Sequence, residues 1–238
     1  MITVLLCSLI FLLSGLIQGL TGFGGGLVAM PLLCLIMDVK QAVPLCIVSG
    51  LVITTVMAYE LRQLFDWRKI LPLLIGSLPG ILAGTVLLKE ADPVLITRFL
   101  GGLLITISGL NLIFKPKPLN PSVAWGYVAG FFSGSINAVV GAGGPPAIIY
   151  TTLNDWKKDE IKATLTGFFA LTGYLTAAVH AYSGVITQST MIYFLLTLPF
   201  VLLGTFAGSR ISGRINRRTY LRTVYLLLMG LGILMLAG

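Results

Sequence analysis

Apolar runs long enough to cross a bilayer follow one another along this sequence with only short interruptions, and that succession leaves few folds open. About 17–25 apolar residues span roughly 30 Å of hydrocarbon as a helix. Such runs occupy Thr3–Leu20, Gln41–Tyr59, Ile70–Leu88 and Val94–Phe114, then Ser122–Asn137, Ile161–Tyr182, Met191–Gly208 and Thr219–Ala237. Two shorter runs, Leu27–Met37 and Ala147–Leu153, reach only about half a bilayer or less. Of the 238 residues, 56% are hydrophobic and 10% charged. A soluble domain carries about 25% charged residues, so this chain cannot clothe a water-facing surface. The fold class is therefore all-α and polytopic, with lipid as the solvent. The first run has no basic leader and no small-residue cleavage site, so it is expected to stay as a mature helix.

The net charge of +8 does not point to nucleic acid, because the cations fall in short loops between apolar runs. Arg62, Arg68 and Lys69 share one loop, and Lys115 and Lys117 another. Lys157, Lys158 and Lys162 share a third, and Arg210, Arg214, Arg217, Arg218 and Arg222 a fourth. Only Lys40, Lys89 and Arg98 stand in the alternate loops. The positive-inside bias then puts the four rich loops in the cytoplasm.

Residues recur as well as hydropathy. Pro79-x-x-x-x-Gly84-Thr85 returns as Pro199-x-x-x-x-Gly204-Thr205, and Gly22-x-Gly24-Gly25 as Gly141-x-Gly143-Gly144. Matches of different kinds at nearly one offset mark an internal repeat. The charge assignment sends Ile70–Leu88 outward and its counterpart Met191–Gly208 inward, so the halves are expected to be inverted. Residues 1–114 form the first repeat and 122–238 the second. The proline-rich segment KPKPLNP, 115–121, is a cytoplasmic connector that cannot continue a helix. Each repeat is expected to hold four transmembrane helices plus a glycine-broken half-helix or re-entrant segment. Counting that segment as a pass gives five passes per half and puts both chain ends outside.

Inverted repeats place substrate near the midplane, where broken helices point their ends inward. Here the breaks are Thr21-Gly22-Phe23-Gly24-Gly25-Gly26 and Val139-Val140-Gly141-Ala142-Gly143-Gly144-Pro145-Pro146. Glycine permits positive φ and close approach to a ligand. The helix starts that follow offer unpaired N–H groups and a partial positive charge, which attract an anion without any lysine or arginine. Proline at such a start removes only an orphan donor. Gln18, Thr21, Ser133, Ser135 and Asn137 stand beside the breaks and could donate to an oxyanion at far lower burial cost than a charge. Interhelical hydrogen bonding explains them equally well. Ser49, Thr54, Thr166, Thr172 and Thr176 are weaker candidates of the same kind. Scattered glycines such as Gly101 and Gly109 read as packing positions.

Cys7, Cys34 and Cys46 have no metal-type spacing and read as small packing residues, with thiol handling of a sulfur substrate as the rarer reading. His180 falls near the outer end of its helix and reads as interfacial, and no Asp, Glu, Lys or Arg stands mid-run. A dedicated proton relay therefore has no support, and no nucleophile–base pair or cofactor motif supports an enzyme.

The stretch GLIQGLTGFGGGLVAMPLL, Gly15 to Leu33, and its later counterpart GFFSGSINAVVGAGGPPAIIY resemble the sulfite exporter TauE/SafE family across essentially the whole chain. Pro44-Leu45-Cys46 and Pro145-Pro146 depart from the family's usual pattern. The resemblance implies movement of sulfite, thiosulfate, sulfoacetate or related organosulfur anions across the inner membrane. An anion channel, or an importer of an organosulfonate, are the alternatives. No cofactor or metal is expected. The expected partners are the small anion and the lipid bilayer, with no nucleic acid and a homodimer left open.

Overall fold

The computed structural model describes residues 2–22, 24–113, 119–211, 226 and 228–236. Its elements are helices: α1 (Ile2–Thr21), α2 (Gly25–Cys34), α3 (Val39–Leu61), α4 (Trp67–Glu90), α5 (Pro93–Ile113), α6 (Val123–Val140), α7 (Gly144–Leu153), α8 (Lys158–Tyr182) and α9 (Gln188–Ile211), with a 3₁₀ turn at Arg62–Leu64 after α3. Residues 228–236 are also helical. The first seven residues of the expected run Thr219–Ala237 lie outside the described residues, as do Lys115 and Lys117 of the connector.

Among the described residues, six helices are long and apolar enough to cross a bilayer: α1, α3, α4, α5, α6 and α9. The chain is a multi-pass membrane protein. α8 has 25 residues, the length of a span, with Asp159 and Glu160 in its first turn. α2 and α7 have only 10 residues each, roughly 15 Å of helix.

Short polar caps set the helix starts. Asp38 accepts the Lys40 N–H at 2.8 Å, Asp66 the Arg68 N–H at 3.0 Å and Asp92 the Val94 N–H at 2.7 Å. Each satisfies a donor that the first turn leaves free. Glu160 reaches back to the Lys157 N–H at 2.9 Å. Two glycines end helices at the breaks. Gly22 (φ 90°) and Gly141 (φ 62°) adopt the left-handed conformation that closes α1 and α6, their N–H groups donating to Gln18 and Asn137 carbonyls at 2.7 and 2.8 Å.

Glycine also sets which helices meet. Gly76, Gly80 and Gly84 of α4 lie on the backbone of α6 at Tyr127, Phe131 and Ser135, while Gly130 and Gly134 of α6 lie on Leu73 and Ser77 of α4. α1 and α9 interlock in the same way, with Gly15 and Gly19 against Val201, Thr205 and Ser209, and Gly204 and Gly208 against the carbonyls of Leu12 and Leu16. Lipid offers no hydrophobic drive between helices, so close backbone approach through small residues supplies the attraction. Gly101 packs on Gly232 as expected, whereas a Cβ on Gly109 would meet nothing within 4 Å among the described residues.

α3 and α8 cross at the centre, where Leu51 fills the space over Gly173 and Thr55 shares a 2.8 Å hydrogen bond with Tyr174. α2 is the most enclosed element, with seven of its ten residues buried. Outer faces carry leucines such as Leu82, Leu195 and Leu203, as a lipid-facing surface requires. Exposed Tyr59, Trp67 and Trp125 gather at one end, near Arg62, Arg68 and Lys69, an aromatic–basic rim of the kind found at membrane interfaces. That rim is tied together by Lys69, which meets Glu160 at 3.3 Å and lies 4.9 Å over the Trp156 ring.

Candidate functional site

The two glycine breaks meet. A Cβ on Gly26, in the first turn of α2, would run into the Gly141 carbonyl at the end of α6. Beside this contact lies a cavity of about 90 Å³, about three waters' worth of space. Its walls come from four places: the middle of α1, the start of α2, the loop and first turn of α7, and the crossing of α3 and α8.

Of the residues expected at the site, Gln18, Gly24, Gly26, Asn137, Gly141, Ala142, Gly143 and Gly144 line this cavity. Three others stand behind the wall. Gly25 packs so tightly on α1 that a Cβ would strike the Gln18 Oε1 and lie 2.9 Å from the Ser14 Oγ. Ser133 is buried and donates to the Gly143 carbonyl, fixing the second loop. Gly22 is buried beneath the side chain of Lys162. Phe23 and the side chain of Thr21 lie outside the described residues.

The weaker candidates divide. Thr54 and Thr172 line the cavity, whereas Ser49 and Thr166 are buried away from it without hydrogen-bond partners among the described residues. Thr176 stands behind Asn137 and accepts its Nδ2 donation at 3.2 Å. Ser135 points elsewhere and donates to the Phe131 carbonyl.

Several lining residues were not singled out in the sequence: Phe11, Ser14, Leu27, Gly50 and Phe169 among them. For Ser14 a signal was available, since it precedes Gln18 by one helical turn, as Ser133 precedes Asn137. Cys46, read chiefly as a packing residue, also lines the cavity. It is indeed small and buried, but its thiol also faces the Gly141 carbonyl at 3.9 Å from the cavity wall. His180 corrects an expectation. It is fully buried rather than interfacial, and neither ring nitrogen has a hydrogen-bond partner among the described residues. The fold covers the last turn of α8, where helix position alone suggested exposure.

The polar groups of the cavity are neutral. Gln18 is 7% exposed and Ser14 2%, and neither side chain has a hydrogen-bond partner among the described residues. The first intrahelical bond at the start of α2 joins the Val28 N–H to the Gly24 carbonyl at 3.3 Å. The N–H groups of Gly25, Gly26 and Leu27 precede it and have no acceptor within the helix. The α7 start is poorer in donors, because Pro145 and Pro146 supply none. The arrangement is a set of unpaired donors and a helix-start dipole on one side, with Phe11, Leu27, Leu51 and Phe169 opposite. Such a pocket suits a small anion that sheds part of its hydration.

No solved structure matches this chain. It is 27% identical over 225 residues to a protein of Cupriavidus necator named "Probable sulfite/organosulfonate exporter TauE", covering 90% of this chain and 86% of that relative. The model of the family described as "Sulfite exporter TauE/SafE" matches residues 7–235, and the chain belongs to that family of membrane transporters, which are not enzymes.

Proposed function

We propose that this protein exports small sulfur-containing oxyanions, with sulfite as the leading substrate and thiosulfate and sulfoacetate as related ones, across the inner membrane by alternating access. The observation that carries this reading is the contact of the α2 start with the glycine break that closes α6, beside a cavity edged by the Gln18 amide, which has no hydrogen-bond partner among the described residues. Gln18, Ser14 and the first N–H groups of α2 bind the anion, and Asn137, held by Thr176, completes the opposite side. Gly22, Gly24, Gly141 and Gly143 shape the backbone, and Gly25, Gly26 and Gly144 allow the close approach. Ala142 keeps the second loop thin, and Ser133 holds it against α6. Thr21 and Phe23 belong to the motif of the first loop.

The carrier is built of two inverted repeats, residues 1–114 and 122–238, joined by a cytoplasmic connector at 115–121, with both chain ends outside. Two features support this. Ser14, Gln18, Gly22 and Gly24 stand 119 positions before Ser133, Asn137, Gly141 and Gly143. The intimate pairs α4–α6 and α1–α9 also exchange equivalent helices between the halves, with glycine on carbonyl in both. Rocking of one bundle against the other around the paired breaks then exposes the anion to each side in turn.

An inside-negative potential drives an anion outward by about 2.3 kcal/mol per charge per 100 mV, so export needs no coupled ion. The test is flux of sulfite, thiosulfate, sulfoacetate, taurine and sulfate in proteoliposomes under an imposed potential or a pH gradient. Saturable sulfite flux that follows the potential and shows counter-transport is expected. Flux that follows pH and ignores the potential would overturn the uncoupled mechanism, and unitary currents would replace the carrier with a channel.

A further inference from the structure

Lys162 lies four residues into α8, in the basic segment at the aromatic–basic rim, yet its side chain turns away from that rim's ion pairs. Its stem lies on the first break, where a Cβ on Gly22 would meet Lys162 Cγ and Cε at 3.2 Å each. Gly22 is buried and stands two residues before Gly24, which lines the cavity. Two turns further along α8, Phe169 joins the cavity wall, followed by Thr172 and Gly173. Seven residues of helix span about 10 Å, so one helix carries a cation at the break and the wall of the site beyond it.

That cation is uncompensated. All eight acidic residues of the chain lie among the described ones, and Lys162 pairs with none of them. Both salt bridges among the described residues belong instead to Lys69, with Asp66 at 3.7 Å and Glu160 at 3.3 Å. Lys40, near the start of α3, is satisfied by the Lys89 carbonyl at 2.9 Å, whereas Lys162 has no hydrogen-bond acceptor among the described residues. A half-buried lysine with no acidic partner, beside low-dielectric walls, holds a local attraction for an anion. The second break has no equivalent, because Gly141 is covered by Met30 and Cys46.

We propose that Lys162 is the recruiting cation of the transporter: it concentrates the oxyanion at the cytoplasmic side of the first glycine break and hands it to the neutral donors of the cavity. This rests on the reading of that cavity as the anion site. The asymmetry has a purpose under export, since the cytoplasmic face must capture a scarce anion and the outer face must release it. A lysine inside the cavity would hold the anion too firmly; one at its margin raises capture and leaves release to neutral groups.

The experiment measures initial sulfite flux from the cytoplasmic face of reconstituted full-length protein against sulfite concentration. It does so at ionic strengths of ~0.01 M and ~0.15 M, where the Debye length falls from about 30 Å to about 8 Å. Lys162→Gln is expected to raise KM by about fivefold to tenfold at low salt, to leave kcat near wild type and to flatten the salt dependence. Lys162→Arg should keep the wild-type KM. Arg68→Gln, an exposed basic residue of the same rim, should leave KM unchanged, and matching gel-filtration profiles establish that the variants fold. A wild-type KM in Lys162→Gln overturns the proposal, as does an equal shift in Arg68→Gln, which would reduce the effect to general surface charge. A wild-type protein that moves no sulfur oxyanion overturns the transport reading itself and this inference with it.

Discussion

Four residues at the cavity test how far binding separates from folding. Gln18 has a buried amide with no hydrogen-bond partner among the described residues, so its removal should cost substrate and not structure. Hydrogen bonds to charged groups contribute about 1.5–3 kcal/mol, so Gln18→Leu is expected to weaken sulfite binding by at least about tenfold with an unchanged melting temperature. Isothermal titration and thermal melts of the same preparation check both halves. Asn137→Leu should lose both, because its amide also holds Thr176. Gly50 offers the converse. It lines the cavity, and a Cβ added there would meet nothing within 4 Å. Gly50→Ala should therefore raise stability by up to about 1 kcal/mol through helix propensity while narrowing the site and reducing flux. A lower melting temperature would show that the backbone there is not free to accept a side chain. At Gly24 the constraint is conformational, not steric: φ is 90° with open space around it. Gly24→Asn should therefore retain more transport than Gly24→Val, since asparagine tolerates the left-handed region and a β-branched residue does not.

The helices divide their labour by glycine placement. α4 and α6 touch backbone to backbone along three successive turns at Gly76, Gly80 and Gly84, and α1 and α9 do the same. Substituting Gly80 by leucine forces these backbones apart, and overpacking of this kind costs about 1–3 kcal/mol or more. The expected result is a fall in melting temperature in detergent, with loss of monodisperse protein, and an unchanged melt would mean that the interface is not held by close approach. These elements were legible in the sequence to within a few residues, because apolar run length and capping aspartates set helix ends locally. The pairing was not. Pro-x-x-x-x-Gly-Thr in two halves marks a repeat but cannot say that α4 seeks α6, since that choice depends on matching a row of small residues to a facing backbone.

At the scale of the molecule, the proposed orientation puts the aromatic–basic rim and the connector on the cytoplasmic side. A cysteine introduced at Asn120 should react with a membrane-impermeant maleimide only from the cytoplasmic side, and a tag on the first residue only from the other. Labelling of both from one side would break the odd-pass inverted repeat.

By itself the sequence determined that this is an all-helical, multi-pass membrane protein with two glycine-rich breaks, because apolar runs of about 20 residues satisfy their backbone in lipid as helices. It also carried the family's motif in residues 15–33. Only the tertiary structure decided that the breaks touch, that Ser14, Cys46 and Phe169 share their cavity, that His180 is enclosed, and that Lys162 rests on the first break without a counter-charge. Those facts depend on which helix faces which. In a bilayer that choice comes from close packing between distant segments, which no local pattern encodes.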